Sequence, residues 1–199
     1  VYVLQELQKK EDASFIFSSS CTVYGQAEKM PITEDAPVQM AMSPYGNTKQ
    51  IGEEIITEVA KVSNIKSILL RYFNPIGAHP SAEIGELPLA VPQNLVPFIT
   101  QTAMGLREKL SVYGNDYPTQ DGTAIRDYIH VVDLAKAHVV ALKRLLDKKN
   151  LHKVETFNLG TGTGSSVLEV ITAFEKVSDT KLNYQIVGRR DGDIVEAYA

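Results

Sequence analysis

The 199-residue chain contains no tryptophan, a single cysteine and no long run of basic residues. One thiol, Cys21, cannot form an internal disulfide and leaves no cysteine-based metal site, so no metal is expected, and the composition fits a reducing cytoplasm. Cys21 itself reads as a small buried hydrophobe rather than a reactive group. No apolar stretch approaches the roughly 20 residues that a membrane-spanning helix requires. The formal net charge is −4 and the pI about 5.6, without aromatic residues interleaved among lysines, so neither nucleic acid nor membrane is an expected partner. No internal repeat or low-complexity tract occurs. What remains, 44% hydrophobic and 22% charged residues, is enough to bury a core for one domain or a domain and a half.

The order of segments predicts an α/β fold. After an opening helix with apolar Val3, Leu4 and Leu7, the run Ser14-Phe15-Ile16-Phe17-Ser18 reads as a buried strand, and it ends in Ser18-Ser19-Ser20. Ligands of open α/β sheets sit beyond the carboxyl ends of strands, so hydroxyls delivered there are site candidates as well as strand terminators. A helix is expected from Ser43 to about Val62, followed by a continuous apolar strand Lys66 to Phe73, a sequence of elements that suits a parallel sheet. Residues 78–97 carry Pro80, Pro88, Pro92 and Pro97 and read as a long irregular excursion, of a length usually tied to function or disorder. Beyond it come a helix from Asn94 to Gly105, a strand Lys109 to Tyr113, and a polar loop from Gly114 to Arg126.

Asp133 is a plausible cap for a helix running through Leu145, whose end carries Lys143, Arg144, Lys148 and Lys149 as a solvated, dipole-compatible cluster. A strand Thr156 to Gly160 leads to Gly160-x-Gly162-x-Gly164, whose spacing matches neither the dinucleotide fingerprint nor the Walker loop, so it is not read as a phosphate site. Ser166 with Glu169 forms a capping box for a helix through Phe174, and Asn183 to Val187 is a final strand.

Chemistry concentrates at Ser43-Pro44-Tyr45-Gly46-Asn47-Thr48-Lys49. Ser43 suits an N-cap and Pro44 the first helical position, which places Tyr45 and Lys49 at i and i+4 on one face. A neighbouring ammonium favours a phenolate, and such a tyrosine can take a proton from an alcohol. Tyr-x-x-x-Lys alone is an ordinary amphipathic pair; its companions give it meaning.

Ser18-Ser19-Ser20 with Thr22-Val23-Tyr24-Gly25, then Ser43-Pro44-Tyr45-Gly46-x-x-Lys49, then Arg71-Tyr72-Phe73-Asn74-Pro75, resemble the extended short-chain dehydrogenase/reductase family. The longer matches Gly77-Ala78-His79-Pro80, Tyr113 to Pro118, Asp121-Gly122-Thr123, Arg126 to Val131 and Arg189-Arg190-x-Gly192-Asp193 resemble its nucleotide-sugar epimerases. The resemblance runs from about Phe15 to Asp193. It implies part of a doubly wound, Rossmann-like parallel sheet over residues 1–75, and a smaller α/β substrate-binding region over 76–199 that returns to the sheet at about 121–160. It also implies NAD as cofactor, UDP-glucose and UDP-galactose as substrates, and a homodimer.

Residue roles follow from the resemblance in the same way. Tyr45 would be the base at the sugar 4-hydroxyl, Lys49 would hold the nicotinamide ribose, and Ser20 would relay the proton. Ser18 and Phe73 would lie against the cofactor. Asn74, Asn94, Leu95, Ser111, Val112, Tyr113, Arg126, Arg190 and Asp193 would hold the nucleotide diphosphate, a task for which forked guanidinium donors are well shaped. Ala197 falls where the family gates room around the sugar, and its small side chain would suit N-acetylated UDP-hexosamines.

Two departures bear on this expectation. Related dehydratases carry an Asp-Glu pair after the serine, and Cys21-Thr22 stands there instead, so elimination chemistry is disfavoured. The glycine-rich strand-turn-helix that cradles the NAD pyrophosphate, which the family places first, has no counterpart here, so the chain reads as an internal piece of a longer protein. A reductase of the same superfamily and a non-catalytic nucleotide-sensing module are the competing readings.

Overall fold

The computed structural model describes residues 1–199. Strands β1 (Ser14–Ser20) and β2 (Lys66–Tyr72) pair in parallel, with Ile16 opposite Ile68 and Ser20 opposite Tyr72. A third strand, Val154–Leu159, pairs in parallel with the other edge of β2. Ser67 to Arg71 are all buried, because this central strand is covered on both faces.

Alternation along β2 divides its side chains between two helices. Leu69 joins Leu4, Ala13, Ile56 and Ile65 on one face, whereas Ile68 and Leu70 pack with Ala141 and Leu145 on the other. The first set is held by α1 (Tyr2–Leu7) and α2 (Pro44–Lys61), consistent with the opening helix and the Ser43 helix expected from the sequence. The Ser43 hydroxyl accepts from the Gly46 amide at 3.0 Å and Pro44 opens α2, a cap worth about 1 kcal/mol.

Residues 77–93 form no helix or strand, as the proline-rich composition suggested. They link β3 (Asn74–Ile76) to α3 (Leu95–Ala103). The next strand, β4 (Leu110–Tyr113), lies within the expected range.

The expected polar loop through Arg126 is corrected at its end, because Ile125–His130 is a strand, β5. It pairs in parallel with β3. The helix after it, α4 (Val131–Leu146), begins earlier than Asp133 because β5 runs straight into it. His130 is its N-cap, with Nδ1 accepting from the Val132 amide at 3.2 Å, while Asp133 lies in the first turn beside Lys136.

Next come β6, the Val154–Leu159 strand of the first sheet, and β7 (Gly164–Ser166), which pairs antiparallel with β5. The Ser166–Glu169 capping box is present at the start of α5 (Val167–Ser178). Strand β8 (Tyr184–Val187) pairs in parallel with β4, and β9 (Glu196–Ala197) in parallel with β5. Ile99, Leu110, Val112, Ile171 and Leu182 form the core of this second half.

Candidate active site

The three serines that end β1 engage four different partners. The Ser18 hydroxyl accepts from Tyr72 Oη at 2.7 Å, and the Ser18 carbonyl accepts from the Lys49 ammonium at 2.9 Å. Ser19 donates to the Glu53 carboxylate. Ser20 accepts from the Thr22 amide at 3.2 Å and so opens the 3-10 turn Cys21–Tyr24. Above them α2 carries Tyr45, more than half exposed, with the Lys49 ammonium 5.3 Å from its ring centre. The i, i+4 spacing thus delivers the shared face that the sequence predicts.

Ser20 and Tyr45 line one cleft of about 720 Å³ together with Tyr72, Phe73 and Ala197. A second cavity of about 140 Å³ is lined by Leu95, Ser111, Tyr113, Tyr128 and Arg190. Asn74, Asn94, Arg126 and Asp193 line both, so the two spaces adjoin. Three expected site residues line neither. Ser18 and Lys49 bind each other at the strand end, and Val112 turns into the core because its neighbours Ser111 and Tyr113 take the outward positions of β4.

The far wall is cationic. Arg190 donates both prongs to Asp193, at 3.0 and 2.9 Å, and lies 4.7 Å from the Tyr113 ring centre. Hydrogen bonding to Asp193 outweighs burial and raises the Arg190 pKa above its ordinary value. Arg126 approaches the same carboxylate at 3.8 Å and donates to the Ile125 carbonyl at 2.8 Å. Burial pushes the Tyr128 phenol upward, so it faces the cavity as a neutral hydroxyl.

The glycine-rich loop after β6 has an internal occupant. Asp127, fully buried, accepts from the backbone amides of Thr161 and Gly162 and from the Thr161 hydroxyl at 2.7 to 3.0 Å. Its Oδ2 also accepts from the Ala199 amide at 3.2 Å. Donors that would cradle a phosphate are thereby taken by a side chain of the same chain.

Several polar residues bordering the site were not singled out from the sequence. Tyr72 bonds both Ser18 and His138 Nε2, the latter at 2.5 Å, and Gln93 lines both spaces. Glu53 and Arg71 form a buried bidentate pair at 2.6 and 2.9 Å. The helical register held the signal for Glu53, which follows Lys49 by four residues and Tyr45 by eight. Burial drives the Cys21 thiol pKa up to about 11, as a structural cysteine requires.

No three His, Cys, Asp or Glu side chains are grouped so as to hold a metal ion, and no helix is long and apolar enough to cross a membrane. Residues 1–160 match the NAD dependent epimerase/dehydratase family. The chain is 52% identical to UDP-glucose 4-epimerase of Bacillus subtilis and 46% identical to that of Mus musculus, with all of its length aligned in each case. It spans about 58% and 57% of those relatives. A solved UDP-glucose 4-epimerase of Stenotrophomonas maltophila, with bound NAD and formylated UDP-arabinopyranose, superposes with a TM-score of 0.93 at 48% identity over 99% of this chain and 58% of that one. The Bifidobacterium longum enzyme in complex with NAD+ and UDP gives 0.90 at 46% identity, with the same coverage. On the family match over most of its length, and on the serine, tyrosine and lysine brought together at the end of β1, the chain belongs to the NAD dependent epimerase/dehydratase family.

Proposed function

We propose that the protein containing this chain interconverts UDP-galactose and UDP-glucose by oxidation and reduction at sugar C4. The observation that carries the reading is the continuity of the cleft holding Ser20 and Tyr45 with the cavity holding Arg190 and Ser111. A hexose in the first space and a nucleotide diphosphate in the second would share Asn74, Asn94 and Arg126 between them. Residues 1–75 then supply the catalytic wall, and residues 76–199 mainly the nucleotide-sugar wall with a return to the first sheet.

Tyr45 takes the proton of the 4-hydroxyl as C4 is oxidised and returns it on reduction, with Ser20 hydrogen-bonding the same oxygen and relaying the proton. The 4-keto sugar turns over between the two steps, which fits a cleft of about 720 Å³. Arg126 and Arg190 exchange part of their bonding to Asp193 for the pyrophosphate. NAD, when bound, supplies the acceptor and donor of the C4 hydride. The residues present fit its nicotinamide half. Lys49 would hold the ribose, Ser18 and Phe73 would border the ring, and the buried Thr22 Oγ1, which lines the cleft, has no protein partner. They offer no equal fit for its pyrophosphate, since the glycine-loop donors are bound to Asp127.

Ala197 is buried at the sugar end of the cleft, and its small side chain leaves room for N-acetylated UDP-hexosamines. The exposed apolar residues of α1 and α2, among them Tyr2, Val3 and Ile51, suit a homodimer, and a cytoplasmic site suits the lone, half-buried free thiol. The decisive test incubates the longest native protein containing this chain with NAD and UDP-galactose or UDP-N-acetylgalactosamine, with conversion followed by NMR. With NAD and NADH supplied in turn, formation of UDP-glucose without net change in either is expected. Stoichiometric consumption of the supplied NADH would make the protein a reductase, and no turnover of either sugar would overturn the catalytic reading.

A further inference from the structure

A buried polar cluster lies behind the site rather than in it. Glu53 is 7% exposed and Arg71 6%, and their carboxylate and guanidinium meet through two parallel hydrogen bonds. Glu53 Oε1 also accepts from the hydroxyl of Ser19, itself 1% exposed. Arg71 stacks 4.7 Å from the ring centre of Tyr24, whose hydroxyl donates to Asn158 at 2.7 Å. Asn158 in turn donates to the Ile32 carbonyl at 2.9 Å. Burial opposes the Arg71 charge, but hydrogen bonds to Glu53 and Tyr24 more than offset it, so the cation persists.

The members of this cluster are each next to a residue of the site. Ser19 precedes Ser20, and Arg71 precedes Tyr72 and Phe73. Glu53 lies on the α2 face that presents Lys49 one turn earlier and Tyr45 two turns earlier. Besides the more exposed bonds from Lys49 to the Ser18 carbonyl and from Gln50 to the Val23 carbonyl, helix α2 is held to the sheet by apolar contacts such as Ile56 with Leu69, which resist separation but tolerate sliding along the helix axis. A bidentate pair plus a hydroxyl bond, all buried, fixes that axial position. Burying two charges is weak evidence of a stability role, because an apolar pair of similar volume is often as stable.

We propose that Glu53 is a positioning residue that sets the axial register of α2 on β1 and β2, and with it the placement of Tyr45 and Lys49 against Ser20; the role is read on the epimerase function proposed above. The catalytic group needs that register held to within about 0.5 Å, and a displacement of 1 Å costs on the order of a hundredfold in rate.

The test uses the full-length NAD-loaded protein and three variants, Ser19→Ala, Glu53→Gln, and the apolar double Glu53→Leu/Arg71→Met. Ser19→Ala is expected to lower kcat at least about threefold, with KM for UDP-galactose and the melting temperature near wild type. The double variant is expected to be as stable as wild type yet at least about thirtyfold slower in kcat. Glu53→Gln leaves the Arg71 charge uncompensated and is expected to lose both stability and kcat. Wild-type kcat in Ser19→Ala, or a double variant that regains kcat along with its melting temperature, would overturn the proposal and leave the pair a purely structural one. Should the double variant fail to fold, Ser19→Ala decides alone. If wild type itself does not convert UDP-galactose, the proposed function falls, and the positioning role is then judged from crystal structures of wild type and Ser19→Ala. A shift of the Tyr45 hydroxyl relative to Ser20 beyond about 0.5 Å supports the role, and an unmoved hydroxyl refutes it.

Discussion

The two walls of the cleft treat charge in opposite ways. On the serine wall the one strongly charged pair, Glu53 with Arg71, is sealed behind the site with bidentate geometry, and the cleft is faced by uncharged side chains, among them the hydroxyls of Ser20, Thr22, Ser43, Tyr45 and Tyr72. On the arginine wall the charges face the cavity, and Arg126 and Arg190 share the single carboxylate of Asp193, with the Arg190 side chain about half exposed. A sealed pair holds geometry, whereas a partly exposed and over-subscribed one can be exchanged for a ligand's oxygens. Reaction chemistry is therefore expected to fail when the first wall is altered, and affinity when the second is.

The largest break in that comparison is Tyr45→Phe in the full-length protein. It deletes one hydroxyl from an exposed side chain, so epimerisation should fall by roughly three or more orders of magnitude while the melting temperature hardly moves. Turnover like wild type would remove Tyr45 from the role. Next comes Arg126→Ala, expected to weaken UDP binding in calorimetry by about 1.5 to 3 kcal/mol, the range for a charge-assisted hydrogen bond. An equal loss of kcat with unchanged UDP affinity would erase the distinction between the walls.

The smallest effect sharpens the same contrast away from the site. Hydrogen bonds from Arg144 hold the Glu155 carboxyl below the ordinary glutamate value of 4.5, so its contribution to stability is present above that value and is lost as pH falls through the depressed folded-state pKa. Glu155→Gln should therefore flatten the acid limb of stability below about pH 4.5, seen as a smaller drop in melting temperature between pH 5 and 3. An unchanged acid limb would show that this pair, although bidentate, contributes nothing through its charge.

The elements legible in the sequence were those in which one pattern sufficed. Phe15-Ile16-Phe17 and Ile68-Leu69-Leu70 read as strands and are strands, the second buried as expected and the first only half-buried, and Ser43-Pro44 and Ser166 with Glu169 marked helix starts that the structure keeps. Strand β5 escaped because Arg126-Asp127-Tyr128-Ile129-His130 follows no apolar period: Arg126 is committed to the cleft, Asp127 to the buried loop and His130 to capping α4. The short β3, β7 and β9 are set by pairing to that strand and have no pattern of their own. In the site, the family resemblance named most of the residues that face the cavities, but it also named Ser18, Lys49 and Val112, which line neither, and passed over Gln93 and Tyr72, which do. Arg71, read as one more member of an apolar run, was recognisable as a buried ion only with its partner, and that partner is 18 residues away.

Gly160 shows how a loop can look like a ligand site while serving the chain itself. A methyl group in place of its hydrogen would come within van der Waals overlap of the Asp127 carboxylate and 2.9 Å from Ala199. The glycine is required by a side chain of the same protein, which fills the ring of amides as a permanent guest. Because that guest also grips the segment bearing Ala197, the wall of the cleft at Ala197 is shaped partly from position 127, a residue that does not itself line the cleft.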